Sequence, residues 1–372
     1  MRVVLSGGGT AGHINPALAL AETLQASGHE VFYAGTPQGV EARLVSQAGL
    51  PFKAFEAQGF DRSRPWTLLT GIAKISHSTG KAVSWFKEIK PDVVVVFGGY
   101  VCIPVGRAAV KLNIPLVVHE QNSIMGLAND YLSRHARAVA LTYAHTKTAK
   151  GAISAGESTK MVVTGNPVRS SIFDSTRQEG RTMLGIPDDA LMLLVFGGSL
   201  GARHVNTAIA QLKSRLLAVP NLYVVHITGP KELETVEAQL SLTEEEQKRY
   251  IVMGYQNRMG ETMAATDLVV SRAGATSLAE ISARCIPAIL VPFPYATADH
   301  QTTNAQAYVE AGAAAMISDD RVESEEFASM LFSLIDDEAA REAMKEAASS
   351  FETGDAAGKL AAIVEEIGLN RS

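Results

Sequence analysis

Cysteine is nearly absent from this sequence: 2 in 372 residues, Cys102 and Cys285, far apart. That excludes a disulfide framework and any cysteine-based metal spacing, and it suits a reducing compartment. Aromatic residues are scarce at 6%, with 2 Trp among them. Charged residues make up 19% without blocks of one sign, and with 47% hydrophobic residues the bulk of the chain is not disordered. A long apolar run is also missing. The longest, Val93 to Val105, covers about 13 residues, contains Gly98 and Gly99, and falls short of the ~20 that span a bilayer. The start, Arg2 and a strand-like VVL running into glycines, has no signal-peptide core, so the expectation is a protein of the cytosol or of the cytosolic face of a membrane.

What is present is enough apolar sequence for two cored domains. The net charge of −6 is unevenly spread: residues 1–165 hold 16 Lys and Arg against 10 Asp and Glu, residues 166–372 hold 17 against 29. A positive first half suits an anionic lipid or a pyrophosphate ligand, whereas nucleic acid asks for a denser basic stripe. The opening reads strand, glycine loop, helix, strand, in RVVLS, GGGTAGH, NPALALAETLQASG and HEVFYAG. Further strands are expected at Val93–Phe97, Leu116–His119, Ala138–Thr142 and Met161–Thr164. After GNPVR the pattern restarts with LMLLVF, GGSLGA and a helical NTAIAQLKSRLLA, followed by strands at Tyr223–Thr228, Tyr250–Met253, Leu268–Ser271 and Ala288–Val291. Short buried strands alternating with helices predict the α/β class: two Rossmann-like, doubly wound parallel-sheet domains over 1–165 and 166–345, with a helical segment over 346–372.

Three glycine loops end buried strands, at Gly7–Gly12, Gly98–Gly99 and Gly197–Gly201, where open α/β sheets bind ligands, and together they predict an interdomain cleft. The first fits G-x-G-x-x-G, whose backbone N–H groups at a helix N-terminus suit phosphate. The second strand ends in Ala34-Gly35-Thr36 rather than in an acid for the ribose, which disfavours a nicotinamide or flavin dehydrogenase. His13 sits in the first helical turn, where the dipole favours neutral imidazole, a candidate general base or simply a packed histidine. Ser199 adds a hydroxyl to a phosphate-type loop, unless that loop is only a tight turn. Glu280, one and a half turns into a helix, is placed to accept from two ribose hydroxyls, or is a solvated glutamate. Asp299, His300, Gln301 and Asn304 gather groups that read sugar hydroxyls. His119 and Glu120 of HEQN are candidate acid or base, and no spacing supports a metal. Between Pro65 and Lys90, Trp66, Leu68, Leu69, Ile72, Ile75, Trp85 and Phe86 mix with Lys74, Lys81, Lys87 and Lys90, as a membrane-surface patch or as an amphipathic core helix.

Taken in order, GGGTAGHINPALALA, FGGYV, HEQN, GNPVR, FGGSLGA, SRAGATSLAE and DHQTTNA resemble the bacterial glycosyltransferases of family 28 that make peptidoglycan lipid II, over nearly the whole length. The resemblance implies the two-domain GT-B fold, with acceptor and membrane on the N-terminal domain, the nucleotide sugar mostly on the C-terminal one, and a last helix crossing back. It implies inverting transfer of N-acetylglucosamine from UDP-N-acetylglucosamine to the 4-hydroxyl of undecaprenyl-diphosphate-linked muramoyl pentapeptide (lipid I). Thr10, Ala11 and Gly12 then line the donor side of the first loop and Asn122 reaches the donor sugar. Arg169 and Ser199 serve the nucleotide and its diphosphate, and Gln256 matches the position whose backbone meets the uracil. Ala275, Thr276, Ser277, Leu278, Ala279 and Glu280 hold the nucleoside, with Glu280 on the ribose, and Gln301 contacts the sugar. His13 is the catalytic candidate. Ala11, Leu200 and Gln256 depart from the residues usual at their positions, Gly, Gln and an apolar residue.

No metal site and no cofactor follow from this reading, with Mg²⁺ left as an assistant in solution. The expected partners are the donor, lipid I, the anionic inner face of the cell membrane through Trp66–Lys90, and proteins of the cell-wall and division machinery, but no nucleic acid. The expected location is peripheral, on the cytoplasmic face of the cell membrane. A UDP-sugar epimerase, a transferase acting on diacylglycerol and a non-catalytic nucleotide-sugar binder are the competing readings.

Overall fold

The computed structural model describes residues 1–57, 67–153, 155–198, 201–296, 299–349 and 354–370, with the backbone alone for 67–72. It divides into two compact units, Met1–Arg169 with Gly354–Ser372, and Ser170–Thr353.

The first unit begins β1 (Arg2–Ser6), α1 (Ala11–Ala26), β2 (Glu30–Gly35), α2 (Val40–Gln47) and β3 (Phe52–Ala54). It continues α3 (Thr67–Ile89), β4 (Val93–Val96), α4 (Cys102–Lys111), β5 (Leu116–Glu120), α5 (Leu127–Ser133), β6 (Ala138–Leu141) and β7 (Lys160–Val163). Among the described residues its sheet has the order β3-β2-β1-β4-β5-β6-β7, every pair parallel. The four valines of β4 show why: the strand is buried on both faces, so it needs no polar alternation. Val3, Leu5, Val93 and Val95 pack on one side, with Leu18 and Leu20 of α1. Val4, Val94 and Val96 pack on the other, with Val105 of α4.

One part of the expected membrane patch is corrected by this packing. Trp85 and Phe86, on α3, are buried in that second layer, Trp85 against Phe55 and Phe32 with ring centroids 5.6 and 6.3 Å away. Aromatic rings of this size contribute most when withdrawn from water, so these two belong to the core. Lys74, Lys81, Lys87 and Lys90 are exposed. Trp66 and the side chains of Leu68, Leu69 and Ile72 lie outside the described residues.

The second unit runs α6 (Ser170–Asp174), α7 (Arg177–Leu184), β8 (Leu191–Phe196), α8 (Arg203–Gln211), α9 (Lys213–Ala218), β9 (Leu222–Ile227) and α10 (Leu233–Leu240). It continues α11 (Glu244–Gln247), β10 (Tyr250–Met253), α12 (Met259–Ala264), β11 (Leu268–Ser271), α13 (Ala275–Ala283) and β12 (Ala288–Leu290). Then come α14 (His300–Glu310), β13 (Ala314–Met316), α15 (Glu325–Asp336) and α16 (Glu338–Ser349). Its parallel sheet, β10-β9-β8-β11-β12-β13, repeats the topology of the first. The polar stretch before β8 is the helix α7, started by a capping box in which Thr176 and Glu179 satisfy each other's backbone N–H groups. The last helix, α17 (Ala356–Leu369), packs in the first unit, where Leu360, Ala361, Ile363 and Val364 join the β1 and α1 layer.

Candidate functional site

Each sheet reverses its strand order once, between β1 and β4 in the first unit and between β8 and β11 in the second. Loops leaving the carboxyl ends of strands at such a point separate to opposite faces and leave a crevice for ligand. Because every strand is parallel, all the loops that follow strands in one unit lie at one end of its sheet.

In the first unit the loops after β1 and β4 are in contact, with Gly8 N–H donating to Gly98 O at 3.2 Å. His13 stands beside them. A Cβ at Gly98 would lie 2.9 Å from His13 Cδ2 and 3.0 Å from its Nε2, and Gly98 has φ +115°, so glycine alone fits here. The same point is 3.6 Å from the Asn129 amide nitrogen, so His13 and Asn129 flank Gly98. His13 Nδ1 is 2.9 Å from Gly8 O and 3.4 Å from Thr10 Oγ1. A carbonyl only accepts, so Nδ1 carries the proton and the neutral ring keeps a lone pair on Nε2. Thr10 is the N-cap of α1 with no side-chain cap bond, and Ala11 and Gly12 open its first turn.

HEQN has a different role from the one its residue types allow in isolation. Glu120 is buried, and its carboxylate accepts from Asn122 N–H and Nδ2 at 3.0 and 3.1 Å and from Gly126 N–H and Asn129 Nδ2 at 3.0 and 2.8 Å. Four donors leave it no lone pair for a substrate proton; it positions Asn122 and Asn129. His119 is buried too, accepting from Gln121 Nε2 on Nδ1 and donating from Nε2 to Gly165 O at 3.1 Å. Burial pushes its pKa down to about 4, so the ring is neutral and both nitrogens are engaged. As acid or base, both candidates are withdrawn. Arg169 is not gathered with His13: its Nε and Nη2 both reach Glu22 Oε1 at 2.8 Å, about 13 Å along α1.

In the second unit Ser199 and its neighbour Leu200 lie outside the described residues. The helices that follow the loops after β8 and β11, α8 and α13, both lack a side-chain cap and any acid in the first turn, so the positive ends of their dipoles are not offset by a carboxylate of their own. On α13, Ala275, Thr276, Leu278 and Ala279 are buried, and the half-buried Ser277 and Glu280 share the remaining face at i,i+3 spacing. Gln301, in the first turn of α14, accepts from Phe293 N–H at 2.9 Å and so ties that helix to the loop after β12. Asn304 of the same helix donates to Ala273 O at 3.4 Å. Gln256, beyond the edge strand β10, accepts from Arg258 N–H at 2.9 Å. β10 and β11 are three strand spacings apart in the sheet, about 14 Å, the span of a nucleoside rather than of a single phosphate. Arg272 is buried against Asp319 at 2.6 Å and the carbonyls of Val291 and Pro292, which fixes the loops around α13.

Sequence reasoning missed Asn129 and Glu41. Asn129 had no motif to mark it, and a glutamate near the start of a helix reads as solvated unless its burial is known. Among the described residues no group of three or more His, Cys, Asp or Glu is placed to hold a metal ion. No described helix is long and apolar enough to cross a membrane.

Residues 3–141 match the glycosyltransferase family 28 N-terminal domain and residues 192–360 the family 28 C-terminal domain. Relatives named UDP-N-acetylglucosamine–N-acetylmuramyl-(pentapeptide) pyrophosphoryl-undecaprenol N-acetylglucosamine transferase are similar from end to end. The one from Halalkalibacterium halodurans is 39% identical, covering 99% of each chain, and the one from Bacillus subtilis 35%, again over 99% of each. Among solved structures, Acinetobacter baumannii MurG superposes with a TM-score of 0.73 at 30% identity, covering 98% of this chain and 99% of that one. A putative UDP-N-acetylglucosamine 2-epimerase from Listeria monocytogenes shares the fold, with a TM-score of 0.68 at 14% identity, covering 98% of this chain and 96% of that one.

Proposed function

The chain belongs to glycosyltransferase family 28, and on that premise we propose that it transfers N-acetylglucosamine from UDP-N-acetylglucosamine to lipid I, giving lipid II. The observation that carries this reading is the 39% identity to a transferase of that name over 99% of both chains. The fold by itself does not discriminate, since an epimerase shares it at 14% identity.

The chemistry assigned to the residues is an inverting displacement. His13 Nε2 takes the proton of the acceptor 4-hydroxyl as that oxygen bonds to C1 of the donor sugar. The C1–O bond to the diphosphate breaks, and its electron pair leaves with UDP. Thr10, Ala11, Gly12 and Asn122 are assigned to the donor on the side of the first unit. The developing charge on the diphosphate is assigned to the positive N-terminal ends of α8 and α13, to Ser199 and to Arg169, once Arg169 exchanges Glu22 for the ligand. Glu280 is assigned to the ribose hydroxyls, Ala275 to Ala279 to the nucleoside, Gln256 to the uracil and Gln301 to the sugar. The charge is assigned to these groups without a resident metal or cofactor, with Mg²⁺ left as an assistant in solution. Contact with the anionic cytoplasmic face of the membrane is assigned to α3 with its exposed lysines and to Trp66, and the partners there to cell-wall and division proteins.

A radiolabel-transfer assay tests the activity. Purified protein is given UDP-N-acetylglucosamine with and without a lipid-diphosphate muramoyl-pentapeptide acceptor. Label in the lipid fraction only when acceptor is present is the expected result; conversion of the donor to another UDP-sugar would move the assignment to an epimerase.

A further inference from the structure

Behind the first glycine loop lies a buried acid that the mechanism above does not use. Glu41, in the first turn of α2, is fully buried. Its Oε1 accepts from Thr36 N–H at 3.0 Å and from Thr36 Oγ1 at 2.6 Å, and its Oε2 from Gly9 N–H at 3.4 Å. Three donors aimed at one carboxyl is the arrangement that compensates an anion for lost water. Glycines make the space. A Cβ at Gly8 would lie 2.7 Å from Oε1, and one at Gly35 2.7 Å from the Glu41 side-chain Cγ, while Gly39 would overlap the carboxyl outright.

The peptide group between Gly8 and Gly9 is bonded at both ends. Its N–H points at Glu41, and its carbonyl accepts from His13 Nδ1 at 2.9 Å. We propose that Glu41 is a positioning residue for the transfer reaction, acting through the Gly8–Gly9 peptide to hold His13 with its proton on Nδ1 and to strengthen Nε2 as a base. This rests on the reading of His13 as the base. Negative charge at the N–H end polarises the peptide, so its carbonyl accepts more strongly, and an imidazolium formed at His13 is stabilised. The acid behind the histidine of a hydrolase triad does the same by direct contact; here one peptide plane stands between them. In the step itself Nε2 gains the acceptor's proton, Nδ1 keeps its own, and the imidazolium later releases a proton to solvent. No proton reaches Glu41.

The other titratable groups around this pair come from three elements. Tyr33 of β2 donates to Gly7 O at 3.0 Å, and the Cys102 thiol of α4 donates to Gly98 O at 2.9 Å. Burial, with Glu41 adding to it, raises both pKa values, Cys102 to about 11, so both are neutral. On the His13 side stands Glu120 of β5, behind Asn129 and held by its four donors.

The test compares the full-length wild type, Glu41→Gln and Tyr33→Phe. His13 is titrated by ¹⁵N NMR, and kcat/KM for transfer is measured against pH on the same samples. In Glu41→Gln the His13 midpoint moves to lower pH by roughly half a pH unit or more, and the acidic limb of kcat/KM moves with it. Tyr33→Phe, which removes a neutral support from the neighbouring peptide, leaves the midpoint in place. An unmoved His13 midpoint in Glu41→Gln, with loss in kcat alone, makes Glu41 scaffold and overturns the proposal. A shifted His13 midpoint with an unshifted kcat/KM limb, and turnover retained in His13→Ala, upholds the link from Glu41 to His13 and rejects His13 as the base. Should Glu41→Gln not fold, Glu41→Asp decides: drawing the carboxylate back from Gly9 N–H by one methylene moves the His13 midpoint to lower pH if the proposal holds, and an unmoved midpoint, or a proton on Nε2 of the neutral wild-type ring, overturns it.

Discussion

Two histidines that sit next to glycine loops or strand ends have opposite fates, and hydrogen-bond partners decide which. His13 has one nitrogen on a carbonyl and the other beside the Gly98 turn, so it retains a usable lone pair. His119 has both nitrogens occupied inside the core. Replacing His13 by Ala should lower kcat about 10²-fold or more with KM for the donor nearly unchanged, the pattern of a group used in the transition state. A steady-state comparison checks it, and equal kcat removes His13 from the chemistry. The buried rings make a second prediction. Burial lowers His119 to about 4 and His226 to about 3, so between pH 6.5 and those values the unfolded chain binds protons that the folded one does not. Their stabilising contribution is complete above pH 6.5 and declines as pH falls, by about 2 kcal/mol for each ring at pH 5. The urea midpoint should therefore fall between pH 7 and pH 5, and fall less in His226→Gln. A midpoint flat over that range contradicts the burial of these rings as neutral species.

Secondary structure was legible wherever a strand was long and continuously apolar. Tyr250–Met253 and Leu268–Ser271 are strands with the bounds their sequence implies. Phe52–Ala54 and Ala314–Met316 escaped notice because three residues carry no period, and pairing with a neighbouring strand alone makes them extended. On α3 the pattern of apolar and lysine residues was visible, but which aromatics face the sheet was not. Trp85 and Phe86 went to the core because β2 and the segment around Phe55 supply partners for them. The membrane assignment therefore rests on the start of the helix. Changing Trp66 and Leu69 to Ser should weaken flotation with anionic vesicles by several-fold while leaving the thermal unfolding midpoint nearly unchanged. Undiminished flotation would remove this segment from the proposed membrane contact.

The two units share the strand order that reverses once, and in the first the glycine loops after β1 and β4 come together only because strands distant in sequence are neighbours in the sheet. The closing helix makes the first unit discontinuous. Leu360 and Val364 are fully buried with Leu18 and Leu20 of α1, which is why α1 is apolar almost all round. A chain ending at Thr353 should expose that face: the first unit should lose cooperative unfolding and bind a hydrophobic dye, while the second keeps its melting transition. Retention of both transitions would mean that α17 is dispensable for the first unit. The amino-acid order sufficed for the fold class, the strand-loop-helix rhythm and the glycine loops, because these depend on local periodicity and on backbone angles that glycine alone tolerates. It also carried the family motifs. Which acids and histidines are solvated, saturated or poised was decided by tertiary structure. Glu41, Glu120 and Glu280 are the same residue type, and burial with three donors, burial with four donors and a half-buried helix face give them different chemistry.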